Sequence, residues 1–122
     1  MITRSKAPLR LGLAGGGSDV SPYSDIYGGA ILNASISMYA HASIQPRNDG
    51  KIIFRSLDKN KMLEFKTKEI LPTANDLSLH AGIYNRIVRD FTKEALSFEL
   101  TTFVDAPPGS GLGTSSTLVV TI

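Results

Sequence analysis

Cysteine is absent from this chain of 122 residues. Without thiols there is no disulfide framework, no thiol nucleophile and no cysteine-held zinc or iron–sulfur site. Two histidines are too few for a histidine-rich metal cage. A surplus of one charge is missing as well: 13 Lys+Arg stand against 11 Asp+Glu, a formal +2. The sequence pI of about 9.0 reflects that small difference and does not by itself imply nucleic acid. No apolar block of signal-peptide length follows the N-terminus. The longest uncharged run, Ile26 to Pro46, carries Asn33, Ser35, Ser37, His41, Ser43 and Gln45 and is unsuited to a lipid-facing helix. A soluble chain with no membrane partner is expected, with the cytoplasm as its compartment.

What is present suits one globular domain. Hydrophobic residues make up 42% and charged residues 20%, enough apolar material for one core and too short a chain for a second. A first strand is predicted over Arg4–Leu13, with Ala7, Leu9, Leu11 and Leu13 pointing one way. It runs into Gly15-Gly16-Gly17. Ser21-Pro22 then marks a helix start, a hydroxyl cap before proline, and Gly28-Gly29 stops that short helix.

From Ala30 to Ile44 every even position is apolar, which predicts a strand with one buried face. Asn48-Asp49-Gly50 is read as a hairpin turn into a strand near Lys51–Leu57, and Asp58-Lys59-Asn60 as a turn into Lys61–Lys66. Leu77, Ala81, Tyr84, Ile87, Val88 and Phe91 recur at helical spacing and predict an amphipathic helix from Leu77 to about Lys93. Phe98, Leu100, Thr102 and Val104 form one side of a further strand. A helix is expected from Thr117, with Leu118, Val119, Val120 and Ile122 as its buried stripe. No cap, polar tail or proline follows that stripe, so a longer protein interrupted within a helix is expected.

The strongest chemical signal lies between the last strand and the last helix. Glycines at 109, 111 and 113 remove side chains from a turn, so that successive backbone N–H groups can converge on one anion. A following helix adds the positive end of its dipole, and Thr114, Ser115 and Ser116 supply hydroxyls for phosphate or magnesium. Neither common phosphate loop fits. A Walker A loop needs Gly-Lys-Ser/Thr, and there is no lysine here. The spacing G-x-G-x-G also differs from the Rossmann G-x-G-x-x-G.

Pro107-x-x-x-Gly111-Leu112-Gly113-Thr114-Ser115-Ser116 instead resembles the ATP-binding signature of the GHMP kinases, P-x-x-x-G-L-G-S-S-A, with Thr114 and Ser116 as departures. Ala7-Pro8-Leu9-Arg10, followed by Gly15 and Ser18-Asp19, resembles the family's first motif, A-P-G-R-x-x-x-x-G-E-H-T-D. Gly16-Gly17 replace the Glu-His pair. That variant resembles the branch that phosphorylates the anomeric hydroxyl of a heptose 7-phosphate.

The resemblance implies an α+β fold, an antiparallel sheet with helices on one face, similar to ribosomal protein S5 domain 2. Residues 1–122 would be the N-terminal ATP-binding domain of such a kinase. It also implies roles for matching positions. Pro108, Gly109, Ser110, Gly111, Leu112, Gly113, Thr114, Ser115 and Ser116 would bind ATP, and Ser115 would help hold Mg²⁺. Ser18 and Asp19 would bind the sugar phosphate, and Arg10 would act catalytically beside the transferring phosphoryl group. The family's catalytic aspartate and magnesium-binding glutamate are expected beyond Ile122, so this piece alone is expected to be inactive.

Two rival classes remain at this point. One is an RNA-binding module of S5-like fold, against which the basic residues are scattered and interrupted by Glu64 and Glu69. The other is a non-catalytic, nucleotide-regulated binding protein.

Overall fold

A computed structural model describes residues Met1–Ile122. Five strands, β1 (Thr3–Ala14), β2 (Leu32–Pro46), β3 (Lys51–Ser56), β4 (Lys61–Lys66) and β5 (Phe98–Val104), form one sheet in the order β1-β2-β5-β3-β4. Three helices accompany them: α1 (Tyr23–Tyr27), α2 (Ser78–Ile87) and α3 (Thr114–Thr121). The fold is α+β, as the resemblance implied. No helix is long and apolar enough to cross a membrane.

Alternation sets the two faces of the sheet. Phe98, Leu100, Thr102 and Val104 are all buried on the helix side, as are Ala40 and Ala42 of β2. Leu77, Ala81, Tyr84 and Val88 cover one end of this face, against Ile52, Phe54, Phe98 and Leu100. Leu118 of α3 covers the other, against Leu9, Ala40, Val104 and Ala106. The predicted inner row of β1 holds only in part. Leu9 is fully buried, but Leu11 and Leu13 are about half exposed (45% and 55%) because the packed helices reach no further along the strand.

The sheet is mixed, where a purely antiparallel one was expected. Three pairs are antiparallel, and β3 runs parallel to β5. Asn48-Asp49-Gly50 is thus no tight hairpin: β5 lies between the two strands that this turn connects. Ser97, one residue before β5, closes the wide turn. Arg47 N–H donates to the Ser97 carbonyl (2.9 Å), and Lys51 N–H donates to Ser97 Oγ (3.1 Å). A strand arriving from 50 residues away leaves no mark on the local pattern.

Four local readings are corrected. Ser21 does not cap α1; its hydroxyl donates to the Asp25 carboxylate, and the helix begins at Tyr23. A charged acceptor one turn on outcompetes the backbone N–H groups. Beyond Ile87 the α-helix widens into a π-helical turn, Val88–Thr92, which ends at Lys93 in a left-handed conformation (φ 58°). The wider turn rotates Phe91 out of the stripe, and it is exposed. Helix α3 starts at Thr114, three residues early, with Gly113 as its N-cap. Its inner face is Thr117, Leu118 and Thr121, while Val119 and Val120 face outward.

His80 of α2 is the one histidine in the core. Its Nε2 lies 2.9 Å from Thr102 Oγ1, its ring packs on Phe54, and its Nδ1 has no partner. Burial, followed by the positive charge of Lys59, pushes its pKa down from 6.5 to about 4. The unfolded chain therefore binds a proton between those values that the folded chain refuses. The contribution of neutral His80 is complete above pH 6.5 and is lost as the pH falls toward 4, by about 3 kcal/mol. Urea midpoints at pH 7 and pH 4.5 should show this loss, and His80→Leu should flatten that part of the slope. Equal acid sensitivity in the variant would assign the effect to other groups.

Candidate active site

Asp105 ends β5 and ties the following loop to its neighbour. Its Oδ2 accepts from Tyr39 N–H (2.7 Å), its own N–H donates to the Tyr39 carbonyl (3.0 Å), and its Oδ1 lies 3.5 Å from His41 Nε2. From this anchor the chain passes Ala106, which is buried, and enters the glycine loop. Gly109, Gly111 and Gly113 have φ of 78°, 73° and 71°. Left-handed residues at alternate positions curl the backbone, a conformation that side chains other than glycine's resist, and Ser110 N–H donates to the Pro107 carbonyl (3.3 Å) within the curl.

The loop delivers its last glycine to the start of α3. Thr114, Ser115 and Ser116 therefore occupy the first helical turn, where free N–H groups and the helix dipole favour an anion. Ser110 Oγ is buried without a hydrogen-bond partner, and the Ser115 hydroxyl makes no hydrogen bond within the chain. Beside them is a cleft of about 100 Å³, lined in part by Pro108, Gly109, Thr114 and Ser115.

Two residues in that cleft escape a reading by motif. Asp58 and Lys59, on the β3–β4 turn, line it opposite the loop. Ser56 Oγ donates to Asp58 Oδ1 (3.0 Å). Lys59 brings a positive charge to a phosphate-type loop that has no lysine of its own. Nothing local in Asp58-Lys59-Asn60 distinguishes it from an ordinary turn, because its position depends on the β3–β5 pairing.

Arg10 is brought to the loop from β1. Its N–H donates to the Leu112 carbonyl (3.2 Å), and its Nη1 donates to Ser116 Oγ (3.3 Å). Ser116 Oγ in turn donates to the Gly113 carbonyl (3.4 Å). The two sequence motifs, a hundred residues apart, thus meet in space.

Ser18 and Asp19 lie beyond the far end of β1, with Gly15 roughly 16 Å along the strand from Arg10 at about 3.3 Å per residue. Ser18 Oγ is occupied within its own loop: it donates to the Gly15 and Ala30 carbonyls (2.7 and 3.0 Å) and accepts from Ala30 N–H (3.1 Å). Gly15 packs so tightly here that a Cβ would lie 2.0 Å from the Ala30 oxygen. A Cβ on Gly16 or Gly17 would meet nothing within 4 Å. Asp19 is exposed and has neither an ion pair nor a side-chain hydrogen bond.

The chain contains no group of three or more His, Cys, Asp or Glu side chains placed to hold a metal ion. The oxygen-bearing side chains that line the cleft are Asp58, Thr114 and Ser115, the donor type that suits magnesium.

No model of a known protein family matches the chain. It is 56% identical over 117 residues to a D-glycero-alpha-D-manno-heptose 7-phosphate kinase of Campylobacter jejuni, a match covering 96% of this chain and 34% of that protein. A crystal structure of a D-glycero-D-manno-heptose 1-phosphate kinase from Bacteroides thetaiotaomicron superposes with a TM-score of 0.92 at 55% identity. That match covers 99% of this chain and 39% of the other. The galactokinase of Lactococcus lactis, solved with galactose, shares the fold alone, with a TM-score of 0.78 and 24% identity over 98% of this chain and 30% of its own. The chain therefore spans about a third of the length of these proteins. In sequence and in fold the chain is similar to that part of the two heptose-phosphate kinases, and in fold alone to the galactokinase.

Proposed function

We propose that residues 1–122 form the N-terminal nucleotide-binding part of an ATP-dependent kinase acting on the anomeric hydroxyl of a heptose 7-phosphate. The observation that carries this reading is the curled loop Gly109–Gly113, which opens onto the start of α3 beside an unbonded Ser115 hydroxyl. The 56% identity to a heptose 7-phosphate kinase supports the choice of sugar.

In this reading the amides of Gly109, Gly111, Leu112 and Gly113 wrap the triphosphate, Ser110 holds the curl through its N–H bond to the Pro107 carbonyl, and Pro108 sets the approach to the loop. Thr114 and Ser116 frame the first helical turn, and Lys59 adds charge from across the cleft. Arg10 brings its guanidinium to the same end of the cradle. Phosphoryl transfer depends mainly on positioning and charge neutralisation, which amides and cations supply. Magnesium, when bound, neutralises the phosphates, and Ser115 is the side chain placed to hold it. Asp19, exposed and unpaired, accepts hydrogen bonds from sugar hydroxyls. Ser18 acts through the loop it closes, since its hydroxyl is already bonded there. The acceptor of the sugar's proton and an acidic magnesium ligand belong to the part of the protein beyond this chain, in keeping with the third of its relatives' length that the chain spans. The 122-residue piece alone is therefore not expected to turn over. The compartment of action in this reading is the cytoplasm, with no nucleic-acid partner.

The full-length protein should release ADP from ATP with heptose 7-phosphate at least about tenfold more efficiently than with galactose or mevalonate, a discrimination within the reach of a shaped polar pocket. Gly16 offers a second handle, because its side-chain direction is open. Gly16→Glu should leave the melting temperature close to that of the parent and reduce heptose 7-phosphate turnover by filling the space beside Asp19. Galactose used as well as the heptose phosphate would overturn the choice of sugar. No ADP release with any sugar would overturn the kinase itself.

A further inference from the structure

We propose that Arg10 is a positioning residue, a strut that holds the glycine loop in its anion-ready curl before any nucleotide arrives. The observation is a space filled from one side. A Cβ built on Gly113 would lie 2.5 Å from Arg10 Nη1, 2.9 Å from Cζ and 3.4 Å from Cγ. The guanidinium therefore occupies the room that glycine leaves, and Gly113 serves two ends: it takes the left-handed conformation (φ 71°) and admits the arginine.

Two hydrogen bonds fix the same contact from either side. The Arg10 N–H holds the Leu112 carbonyl, just before Gly113, and Nη1 reaches Ser116 Oγ in the first turn of α3. Ser116 Oγ closes the circuit on the Gly113 carbonyl. Arg10 thus touches the loop at residues 112, 113 and 116. Leu9, the preceding residue, is fully buried beside Leu118, so the strut stands on a rigid base. A planar, charged fork on such a base is pre-organised and loses little freedom in making these bonds. At Gly109 and Gly111, by contrast, nothing lies within 4 Å of a would-be Cβ, so no side chain fills the room those glycines leave. Stiffness in the loop is therefore concentrated at its Arg10 end. A loop already curled binds an anion without first having to order itself.

The nucleotide half of this inference rests on the kinase reading, whereas the loop half does not, and the experiment separates them. Arg10→Gln, Arg10→Lys and Ser116→Ala are made in the full-length protein. Amide hydrogen exchange over residues 109–113 is followed without nucleotide, and ADP affinity is measured without magnesium. ADP lacks the transferring phosphoryl group, so an arginine acting only on that group would leave ADP binding unchanged.

Expected results are exchange at these amides about tenfold faster in Arg10→Gln, an unchanged rate at Ile52 and Phe54, and ADP affinity reduced about tenfold, the scale of one charge-assisted hydrogen bond. Arg10→Lys should recover less than half of the effect, since an ammonium cannot fill the planar slot. Ser116→Ala should produce a smaller effect, and none beyond that of Arg10→Gln when the two are combined. It also carries the test should Arg10→Gln fail to fold. Loop exchange unchanged in these variants would overturn the strut. Faster exchange with ADP affinity unchanged would overturn pre-organisation as its purpose. If the parent protein binds no ADP, the kinase reading falls and the exchange measurement alone decides the strut.

Discussion

In the full-length protein, Asp19→Asn is expected to lower kcat/KM for the sugar phosphate about ten- to a hundredfold while leaving the KM for ATP near that of the parent. The side chain is exposed, unpaired and held at the mouth of a loop fixed by Ser18. An amide keeps its shape and removes its charge. A charge-assisted hydrogen bond is worth roughly 1.5–3 kcal/mol, which sets the range. Ser115→Ala should divide the other way, raising the KM for magnesium–ATP and leaving that for the sugar alone. Steady-state kinetics with each substrate varied separately will distinguish them. Sugar kinetics unchanged in Asp19→Asn would remove Asp19 from the site, and a drop in melting temperature with both substrates affected alike would make it a turn residue.

Gly15→Ala should be the most damaging single methyl group in the chain. Its φ is 76°, where an L side chain costs about 1–2 kcal/mol, and its Cβ would lie 2.0 Å from a backbone oxygen of Ala30 and 3.1 Å from the carbonyl carbon. Backbone cannot swing aside as a flexible side chain can. The Ser18 hydroxyl depends on the same approach, because it bridges the Gly15 and Ala30 carbonyls. A loss of about 3 kcal/mol or more is expected in urea unfolding, at the upper end for a single substitution. Gly16→Ala, one residue on, should change stability by less than about 0.5 kcal/mol. Similar losses at the two positions would mean that the packing of Gly15 on Ala30 carries no weight.

The contrast between Gly15 and Gly16 shows where the sequence is silent. Gly-Gly-Gly announces a loop, but which glycine is needed depends on Ala30, and no local rule connects the two. The strands were legible because burial imposes a period of two, which is plain in Phe98–Val104 and in Ala34–Ile44. Pairing was not, since β5 takes its place between β2 and β3 from far along the chain. The helix from Leu77 was legible as far as Val88 and failed at Phe91, where a π-helical turn breaks the period. At the site, the glycine loop could be read from spacing alone. The contact of Arg10 with Gly113 could not, nor could the place of Lys59, because each exists only once the sheet has closed.

The late insertion of β5 also bears on how the chain reaches this state. As residues emerge in order, β1 with β2 and β3 with β4 can each pair as neighbours, and both hairpins are then waiting pieces. The edges of β2 and β3 that face each other in the finished sheet stay unpaired until Phe98–Val104 is available to both. Exposed edges of this kind are templates for pairing with other chains. Closure of the sheet therefore depends on the strand that leads directly into the glycine loop, so that the loop's anchor and the middle of the sheet are supplied by the same segment.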